Sequence, residues 1–282
     1  MTDVLSDLGK RTLIMGILNV TTDSFSDGGK FFSFESALAR ARQLIREGAD
    51  IIDIGGESTR PGAEPVPTEE ELRRVIPVIR AIRQESSVPI SIDTYKAAVA
   101  QAALEAGANI INDISALRFD PQMVRVVADA RVPVVLMHML GTPKTMQQNP
   151  VYRDVVREIK EFLAERIAFA REHGIEKIMI DPGIGFGKTV AHNVEILRRL
   201  GELRELQCPI LIGTSRKSFI GRLGSTTSEP LPLDQRLEGT IASTVIAVLH
   251  GAQIARVHDV APLKRALAIV DAVRYDRVRS EV

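Results

Sequence analysis

Eight short apolar runs, spread along the whole chain, each end in polar or charged residues. They are residues 13–18, 51–54, 90–92, 110–111, 134–137, 178–180, 210–212 and 254–257. A buried strand needs only apolar side chains, so a polar residue at the same end of every run is not a requirement of folding. It is the pattern expected when eight parallel strands close into a (β/α)8 (TIM) barrel, with all their polar ends on one rim. The pattern predicts both the architecture and the place where functional residues lie.

The segments between the runs have apolar residues at helical spacing, several of them ending in glycine. They are residues 33–48, 68–82, 96–107, 121–130, 152–174, 193–206, 236–251 and 262–275. In the second segment, Thr68 and Glu71 have the spacing of a capping box, with Thr68 as the N-cap. Strands that alternate with helices predict a parallel α/β sheet with right-handed crossovers. An open doubly wound sheet is the alternative, but eight units with polar strand ends favour the closed barrel.

Length and composition fit one domain of a soluble protein. No linker or low-complexity stretch divides the 282 residues, so we expect a single barrel domain over residues 1–282. Lys+Arg (36) balance Asp+Glu (36), which argues against the broad basic surface of a nucleic-acid-binding protein. The single Cys208 precludes an intramolecular disulfide, and we find neither a signal peptide nor an apolar run long enough to span a membrane. These features predict a cytoplasmic protein.

Three segments that follow predicted strands are too long and polar to fit the repeat. They are residues 21–32, 60–67 and 138–151. Loops of this kind at the end of barrel strands often close over a site, so we expect them to act as lids.

The glycine-rich segment 181–189 (DPGIGFGKT) is similar to a nucleotide phosphate loop but does not match it. Pro182 stands where that motif requires glycine, and the glycines lack the dinucleotide-binding spacing. We expect a flexible loop that lets a planar ligand approach the backbone beside Asp181. Glycines that serve only a tight turn are the structural alternative.

Cationic residues cluster near the ends of the last two predicted strands. Segment 213–218 (GTSRKS) places two cations between a strand and a helix, and Arg256 and His258 alternate so that both point to one side. This region of a barrel is a common phosphate site, and arginine offers a planar fork for phosphate oxygens. The segments predict an anion site, with a solvated basic turn as the alternative for 213–218.

Asp93, Asn112 and Asp181 stand at the ends of the third, fourth and sixth predicted strands. Such side chains can be metal ligands, general bases or acceptors for a ligand rich in N–H donors. An asparagine lies between the two carboxylates along the rim, which favours recognition of a planar ligand by hydrogen bonds. Carboxylates paired with barrel arginines are the structural alternative. We assign His138 a structural role and Met137 to packing.

Taken in order, these segments resemble the dihydropteroate synthase family of the folate pathway, from about residue 13 to about residue 272. The most specific motifs are residues 16–29 (GILNVTTDSFSDGG) and 55–62 (GGESTRPG). The others are residues 91–94, 110–113, 137–139, 181–188, 215–218 and 256–260. One departure is Thr22, where the family usually has proline, so we expect a looser first loop.

The resemblance implies that (7,8-dihydropterin-6-yl)methyl diphosphate reacts with 4-aminobenzoate, with Mg²⁺, to give dihydropteroate and diphosphate. It also implies a homodimer, inhibition by sulfonamides, and catalytic roles for Asp93, Lys217 and Arg256. The implied pterin-binding residues are Asp93, Asn112, Asp181, Lys217 and Arg256. The implied diphosphate-binding residues are Asn19, which also binds the metal, Thr59, Arg60, Arg256, Val257 and His258. The implied 4-aminobenzoate-binding residues are Thr59, Arg60, Pro61, Phe186, Lys217 and Ser218.

Two rival functions share part of this pattern. A methyltetrahydrofolate-binding barrel of a corrinoid methyltransferase would keep the acceptors for the pterin edge but would not need the cations of 215–218 and 256–258. A non-catalytic pterin-binding barrel would not need the long loops. The first rival leaves the cations unexplained and the second leaves the long loops unexplained, whereas the synthase family uses both.

Overall fold

Eight parallel strands form where the apolar runs of the sequence lie. The computed structural model describes residues 5–20, 34–60 and 62–275. The strands within these ranges are β1 (Leu13–Asn19), β2 (Ile51–Gly55), β3 (Ile90–Asp93), β4 (Ile110–Asp113), β5 (Val134–Met137), β6 (Ile178–Asp181), β7 (Leu211–Ile212) and β8 (Ile254–Val257). They pair in the order β6-β5-β4-β3-β2-β1-β8-β7, and a bridge between Ile180 and Ile210 joins the two ends. The barrel prediction is confirmed; the domain extent of 1–282 stays a prediction.

Helices surround this barrel. In the described ranges they are α1 (Phe34–Glu47), α2 (Thr68–Glu85), α3 (Ala97–Glu105), α4 (Met123–Ala130), α5 (Val155–Glu172), α6 (Val190–Arg199), α7 (Ser218–Gly224), α8 (Leu237–Leu249) and α9 (Val260–Tyr275). The predicted helix 193–206 is divided between α6 and a 3-10 segment, Leu200–Leu206. Helix α7 was not predicted, because seven residues with two glycines show too little periodicity. No helix in the described part of the chain is both long enough and apolar enough to cross a bilayer.

The predicted capping box at Thr68 is wrong. Helix α2 begins at Thr68, but its N-cap is Pro67 and no side chain caps it. The carboxylate of Glu71 is buried and accepts a hydrogen bond from the Lys96 ammonium at 2.5 Å. An ammonium is a stronger partner for a buried carboxylate than a backbone N–H, so Glu71 turns away from the helix terminus. A capping box forms instead at α6, between Thr189 and His192.

The interior of the barrel changes from apolar to polar along its axis. Its lower layer is a cluster of buried side chains from the strands, closed from below by the partly buried Leu5 and Leu8. The members of this layer are Leu13, Met15, Ile51, Ile110, Val135, Met179, Leu211 and Ile254. Because side chains alternate along a strand, the intervening apolar residues pack against the helices, and polar residues follow above the lower layer. The polar rim rests on a packed apolar floor.

We expect Ile110→Ala to lower the free energy of unfolding by about 2–5 kcal/mol, since it opens a cavity in this fully buried layer. The matched control is Ile269→Ala on α9, where the side chain is 70% exposed and the change should stay within about 0.5 kcal/mol. Urea unfolding of both variants measures the difference. Equal effects would contradict the assignment of Ile110 to the barrel interior.

Candidate active site

The predicted site residues that the structure describes lie at or just beyond the carboxyl ends of the strands. Asn19 ends β1, Asp93 ends β3 and Asp181 ends β6. Asn112 lies next to the end of β4, and Arg256 lies in β8. Parallel strands of a barrel end on the same rim, so one mouth collects these side chains. This places them where the sequence pattern predicts a site.

Arg256 joins two carboxylates from different strands in this mouth. Its Nε donates to Oδ2 of Asp53 and its Nη2 donates to Oδ2 of Asp93, each at 2.6 Å. Burial alone would lower the pKa of Arg256, but Asp53 and Asp93 raise it above its usual value. Arg256 therefore remains charged, and the alternative of carboxylates paired with a barrel arginine applies to Asp93.

Asp53 is a site residue that the sequence analysis missed. It is fully buried and its Oδ2 also accepts a hydrogen bond from Nδ2 of Asn112 at 3.2 Å. Its Oδ1 has no hydrogen-bond partner among the described residues, which leaves a buried acceptor in the mouth. The signal was present in the sequence, because Asp53 interrupts the second apolar run at an inward-facing position.

Burial raises the pKa of both predicted pterin carboxylates. Burial is the largest cause at Asp93, where Arg256 opposes it and Asp53 adds to it. At Asp181 burial also raises the pKa, and the backbone N–H of Gly183, which donates to Oδ1 at 2.6 Å, opposes it. Desolvated carboxyl groups of this kind gain from a ligand that donates N–H groups to them. The electrostatics thus suit a donor-rich ligand.

The glycines of segment 181–189 are explained by tight turns packed against the chain that follows β5. Gly183, Gly185 and Gly187 all have positive φ. A Cβ on Gly183 would lie 1.9 Å from the carbonyl oxygen of His138, and one on Gly187 would lie 2.7 Å from Cβ of Leu140. These neighbours belong to the protein, so the tight-turn alternative accounts for the glycines without a ligand.

Lys188, a buried residue of this glycine-rich segment, binds the backbone of the segment and His138. The Lys188 ammonium donates to the carbonyl oxygen of Phe186 at 2.9 Å and lies 3.0 Å from Nδ1 of His138. Burial lowers the pKa of Lys188 to about 7 and also lowers the pKa of His138. His138 has the structural role that we assigned to it, and Met137 packs in an apolar cluster beside it.

Lys217 lies between the glycine-rich segment and the acidic residues. Its Nζ is 4.1 Å from the centroid of the Phe186 ring, a cation–π contact. Burial lowers the pKa of Lys217 to about 8; Arg256 adds to this effect, and Asp181 and Asp93 oppose it. Lys217 and Phe186 therefore form one wall, and the adjacent Ser218 is exposed.

The cations of 213–218 and 256–258 divide into two groups. Arg216 binds both carboxylate oxygens of Asp259, at 3.0 and 2.7 Å, so its charge is neutralised by a neighbour. His258 pairs through Nδ1 with Oγ of Ser215 at 3.0 Å. Burial is the largest cause that lowers the pKa of His258, to about 3. The neutral imidazole is available as an N–H donor to an anion, whereas Arg216 is structural.

The remaining predicted residues lie in the loops. Thr59 is partly buried and Arg60 is exposed on the segment that follows β2, while Val257 is buried in β8. Pro61, Thr22 and the whole of 21–32 lie outside the described residues, so the expectations for them stay predictions. Among the described residues, no group of three or more His, Cys, Asp or Glu side chains could hold a metal ion.

Comparison with known proteins gives consistent matches. Residues 15–258 match the family of pterin binding enzymes. A dihydropteroate synthase of Synechocystis sp. is 49% identical over 271 residues, which cover 95% of this chain and 92% of the relative. The structure of Xanthomonas albilineans dihydropteroate synthase with 4-aminobenzoic acid superposes with a TM-score of 0.87 at 50% identity, covering 94% of this chain and 93% of that one. The Yersinia pestis enzyme in complex with a sulfonamide drug has a TM-score of 0.88 at 47% identity, covering 94% of each chain.

The family match spans most of the barrel, and the relatives are similar along nearly their entire length. The predicted motifs, their order and the rim that collects them agree with this match. The chain belongs to the dihydropteroate synthases, within the family of pterin binding enzymes.

Proposed function

We propose that this chain is a transferase that condenses (7,8-dihydropterin-6-yl)methyl diphosphate with 4-aminobenzoate, giving 7,8-dihydropteroate and diphosphate in folate biosynthesis. The observation that carries this proposal is a mouth in which buried hydrogen-bond acceptors lie beside cations. Asp53, Asp93 and Asp181 supply the acceptors, and Arg256 and Lys217 supply the cations. A substrate with a donor-rich ring at one end and a diphosphate at the other matches both halves.

The pterin ring takes the acceptor half. Its amino-pyrimidinone edge is a row of N–H donors, which the carboxylate of Asp181 and the amide oxygen of Asn112 accept. Asp53, through its unpaired Oδ1, is a further acceptor close to Asn112. Arg256 lies against the ring while it stays fixed between Asp53 and Asp93. The ring thus binds to side chains on rigid strands.

The diphosphate takes the cationic half. Thr59, Arg60, Arg256, Val257 and His258 surround its oxygens, with His258 donating an N–H from a neutral ring. Asn19 offers one neutral amide oxygen at the end of β1. Mg²⁺ often keeps several waters and binds substrate phosphates alongside one or two protein ligands, so this sparse donor set fits it. Mg²⁺ bound there would neutralise part of the diphosphate charge.

The reaction is a dissociative substitution at the pterin methylene carbon. The carbon–oxygen bond to diphosphate breaks, its electron pair leaves with diphosphate, and the electron-rich pterin stabilises the positive methylene. Arg256, His258 and Lys217 stabilise the charge that develops on the leaving group, and Asp93 lies near the cation. The amine of 4-aminobenzoate then forms the carbon–nitrogen bond, and its extra proton passes to the released diphosphate or to water. Because the methylene is already cationic when the amine attacks, the neutral amine is reactive enough and the protein has little need for a general base.

The acceptor pocket is formed by loops. Phe186, Lys217 and Ser218 form one side of it, and Thr59 and Arg60 belong to the other; Pro61, which the resemblance also implies, lies outside the described residues. Closed loops exclude water from the reactive methylene. Sulfonamides carry the same aryl amine as 4-aminobenzoate, so they bind in its place.

The buried free Cys208 is consistent with a reducing compartment, and we place the protein in the cytoplasm.

Diphosphate release from the pterin diphosphate tests the function directly. We expect rapid release with 4-aminobenzoate, slow release without it, and suppression by a sulfonamide that extra 4-aminobenzoate reverses. A methyltetrahydrofolate-binding barrel would release no diphosphate under any of these conditions. Diphosphate release at the same rate with and without 4-aminobenzoate would contradict the assignment of 4-aminobenzoate as the second substrate.

We expect Asp181→Asn to weaken pterin binding roughly 5- to 140-fold, which corresponds to about 1–3 kcal/mol for a donor left unpaired. The asparagine oxygen keeps the bond to Gly183 N, so the new NH₂ group faces the donors of the ring. Calorimetry with a pterin measures the loss, and thermal unfolding checks the fold. The matched control is Asp271→Asn, which changes an aspartate that binds Thr12 at the opposite end of the barrel. Wild-type affinity in Asp181→Asn would refute the proposed ring orientation.

We propose that the protein is a homodimer that covers an apolar groove between α6, α7 and α8. The groove has a volume of about 660 Å³ and includes Leu223 and Ile246 in its lining. These two side chains are 59% and 45% exposed, which is costly for large apolar groups in contact with water. Continuous exposed apolar surface of this kind marks an interaction face.

The double variant Leu223→Glu, Ile246→Glu is expected to sediment as a monomer where the wild type sediments as a dimer. Burying two carboxylates in an apolar interface costs several kcal/mol. Ile269→Glu, on an exposed position of α9, is the control and should remain dimeric. A monomeric wild type, or a control that dissociates equally, would rule out this interface.

A further inference from the structure

Residues 57–66, the segment that carries Thr59 and Arg60, are closed at their base by one cluster of hydrogen bonds. Oε2 of Glu57 accepts from the backbone N–H of Val66 at 2.9 Å. The Lys96 ammonium donates to the same Oε2 and to the carbonyl oxygen of Val66, each at 2.6 Å. Glu57, the first residue of the segment, is thus joined to Val66, the last, both directly and through Lys96.

This cluster is mostly buried and extends to helix α2 and to Tyr95, the neighbour of Lys96. The Lys96 ammonium also donates to Oε2 of Glu71 on α2 at 2.5 Å, and the hydroxyl of Tyr95 donates to Oε1 of Glu57. The side chains of Lys96, Glu57 and Glu71 are 15%, 7% and 1% exposed. A buried charge that loses its partner is costly, so each of these groups restrains the others.

The base of the segment is tied to the strand that carries Asp93. Tyr95 and Lys96 lie two and three residues after Asp93, which ends β3 and binds Arg256. Contacts near the tip of the segment are weaker by comparison. The ion pair between Glu64 and Lys144 measures 2.9 Å, but its side chains are 73% and 63% exposed. Exposed pairs contribute little, so the buried base controls the position of the segment.

We infer that Glu57 and Lys96 are positioning residues that place Thr59 and Arg60 for the acceptor side of the reaction. This inference rests on the proposed function, and it adds two side chains that touch neither substrate. A segment already closed at its base loses less conformational entropy when 4-aminobenzoate binds against it. Loosening the base therefore weakens acceptor binding and leaves the pterin ring, which binds to strand ends, unaffected.

Glu57→Gln is the decisive variant. If the amide oxygen keeps the bonds from Val66 N–H and Lys96, the NH₂ group faces the hydroxyl of Tyr95, which must then give up its bond to residue 57 as a donor. The substitution also removes the negative charge that balances Lys96. We expect the KM for 4-aminobenzoate to rise at least about 10-fold, as for the loss of a hydrogen bond to a charged group. The Kd of a pterin without diphosphate should change less than about 2-fold, since that ligand does not reach Thr59 or Arg60. Tyr95→Phe, which removes one bond to Glu57, should raise the same KM by a smaller factor.

The matched control is Lys144→Met, which breaks the exposed pair on the same segment and should leave both constants within about 2-fold of wild type. Hydrogen exchange gives a readout independent of turnover: amides of 57–66 should exchange faster in Glu57→Gln, with those of β3 unchanged. A wild-type KM for 4-aminobenzoate in Glu57→Gln, or equal weakening of pterin and acceptor, would overturn the inference. A wild type that forms no dihydropteroate would instead overturn the proposed function, while unchanged exchange would still overturn the positioning role.

Discussion

The pairing of Arg256 with Asp53 and Asp93 is the interaction on which the mouth of the barrel depends. The guanidinium of Arg256 on β8 joins carboxylates on β2 and β3, which are distant from it in sequence. Its planar geometry lets Nε and Nη2 each bind a different carboxylate. Without it, two carboxylates would lie close together in a desolvated space, where both could not stay ionised. The guanidinium keeps its positive charge, whereas burial raises the pKa of its partner Asp93. The strand ends can therefore form a rigid and permanently polar surface above an apolar floor.

This surface separates the two kinds of recognition that the reaction needs. Asn112 and Asp181, the proposed ring acceptors, stand on strands and are 4% and 6% exposed. Lys217 and His258, next to the same mouth, have pKa values that burial lowers, so adding negative charge to the site favours their protonated forms. In the proposed reaction, a diphosphate that enters the mouth therefore favours the charged ammonium of Lys217, while His258 donates an N–H from its neutral ring. In the proposed function, the strand ends bind the ring, whereas the cations around them stabilise the charge of the leaving group.

The sequence predicted the barrel, its rim and most of the residues on that rim, because strand alternation and strand ends depend on local patterns. It did not predict interactions between distant segments. Asp53 was counted as part of an apolar run because its partner, Arg256, lies 203 residues away and no local pattern connects the two. Glu71 was assigned to a capping box because the local spacing fits, but it binds Lys96, which lies between β3 and α3. Helix α7 was missed because its stability comes from packing of Phe219 and Ile220, not from its own seven residues.

Two largely buried lysines, Lys96 and Lys188, have the same structural role in the two segments that we propose to line the acceptor pocket. A loop that contacts substrate must be held in place, yet its backbone carbonyls need partners where water is excluded. Lys96 meets this need by donating to the carbonyl of Val66, and Lys188 does so by donating to the carbonyl of Phe186. An ammonium has three donors and can bind a carbonyl and other acceptors at once, whereas a hydroxyl donates to only one acceptor. Lys96 is balanced by two carboxylates, whereas Lys188 lies against His138 and has a pKa lowered to about 7. The wall that carries Thr59 and Arg60 is therefore fixed by ion pairs, and the wall that carries Phe186 is held by a cation whose charge is easily lost.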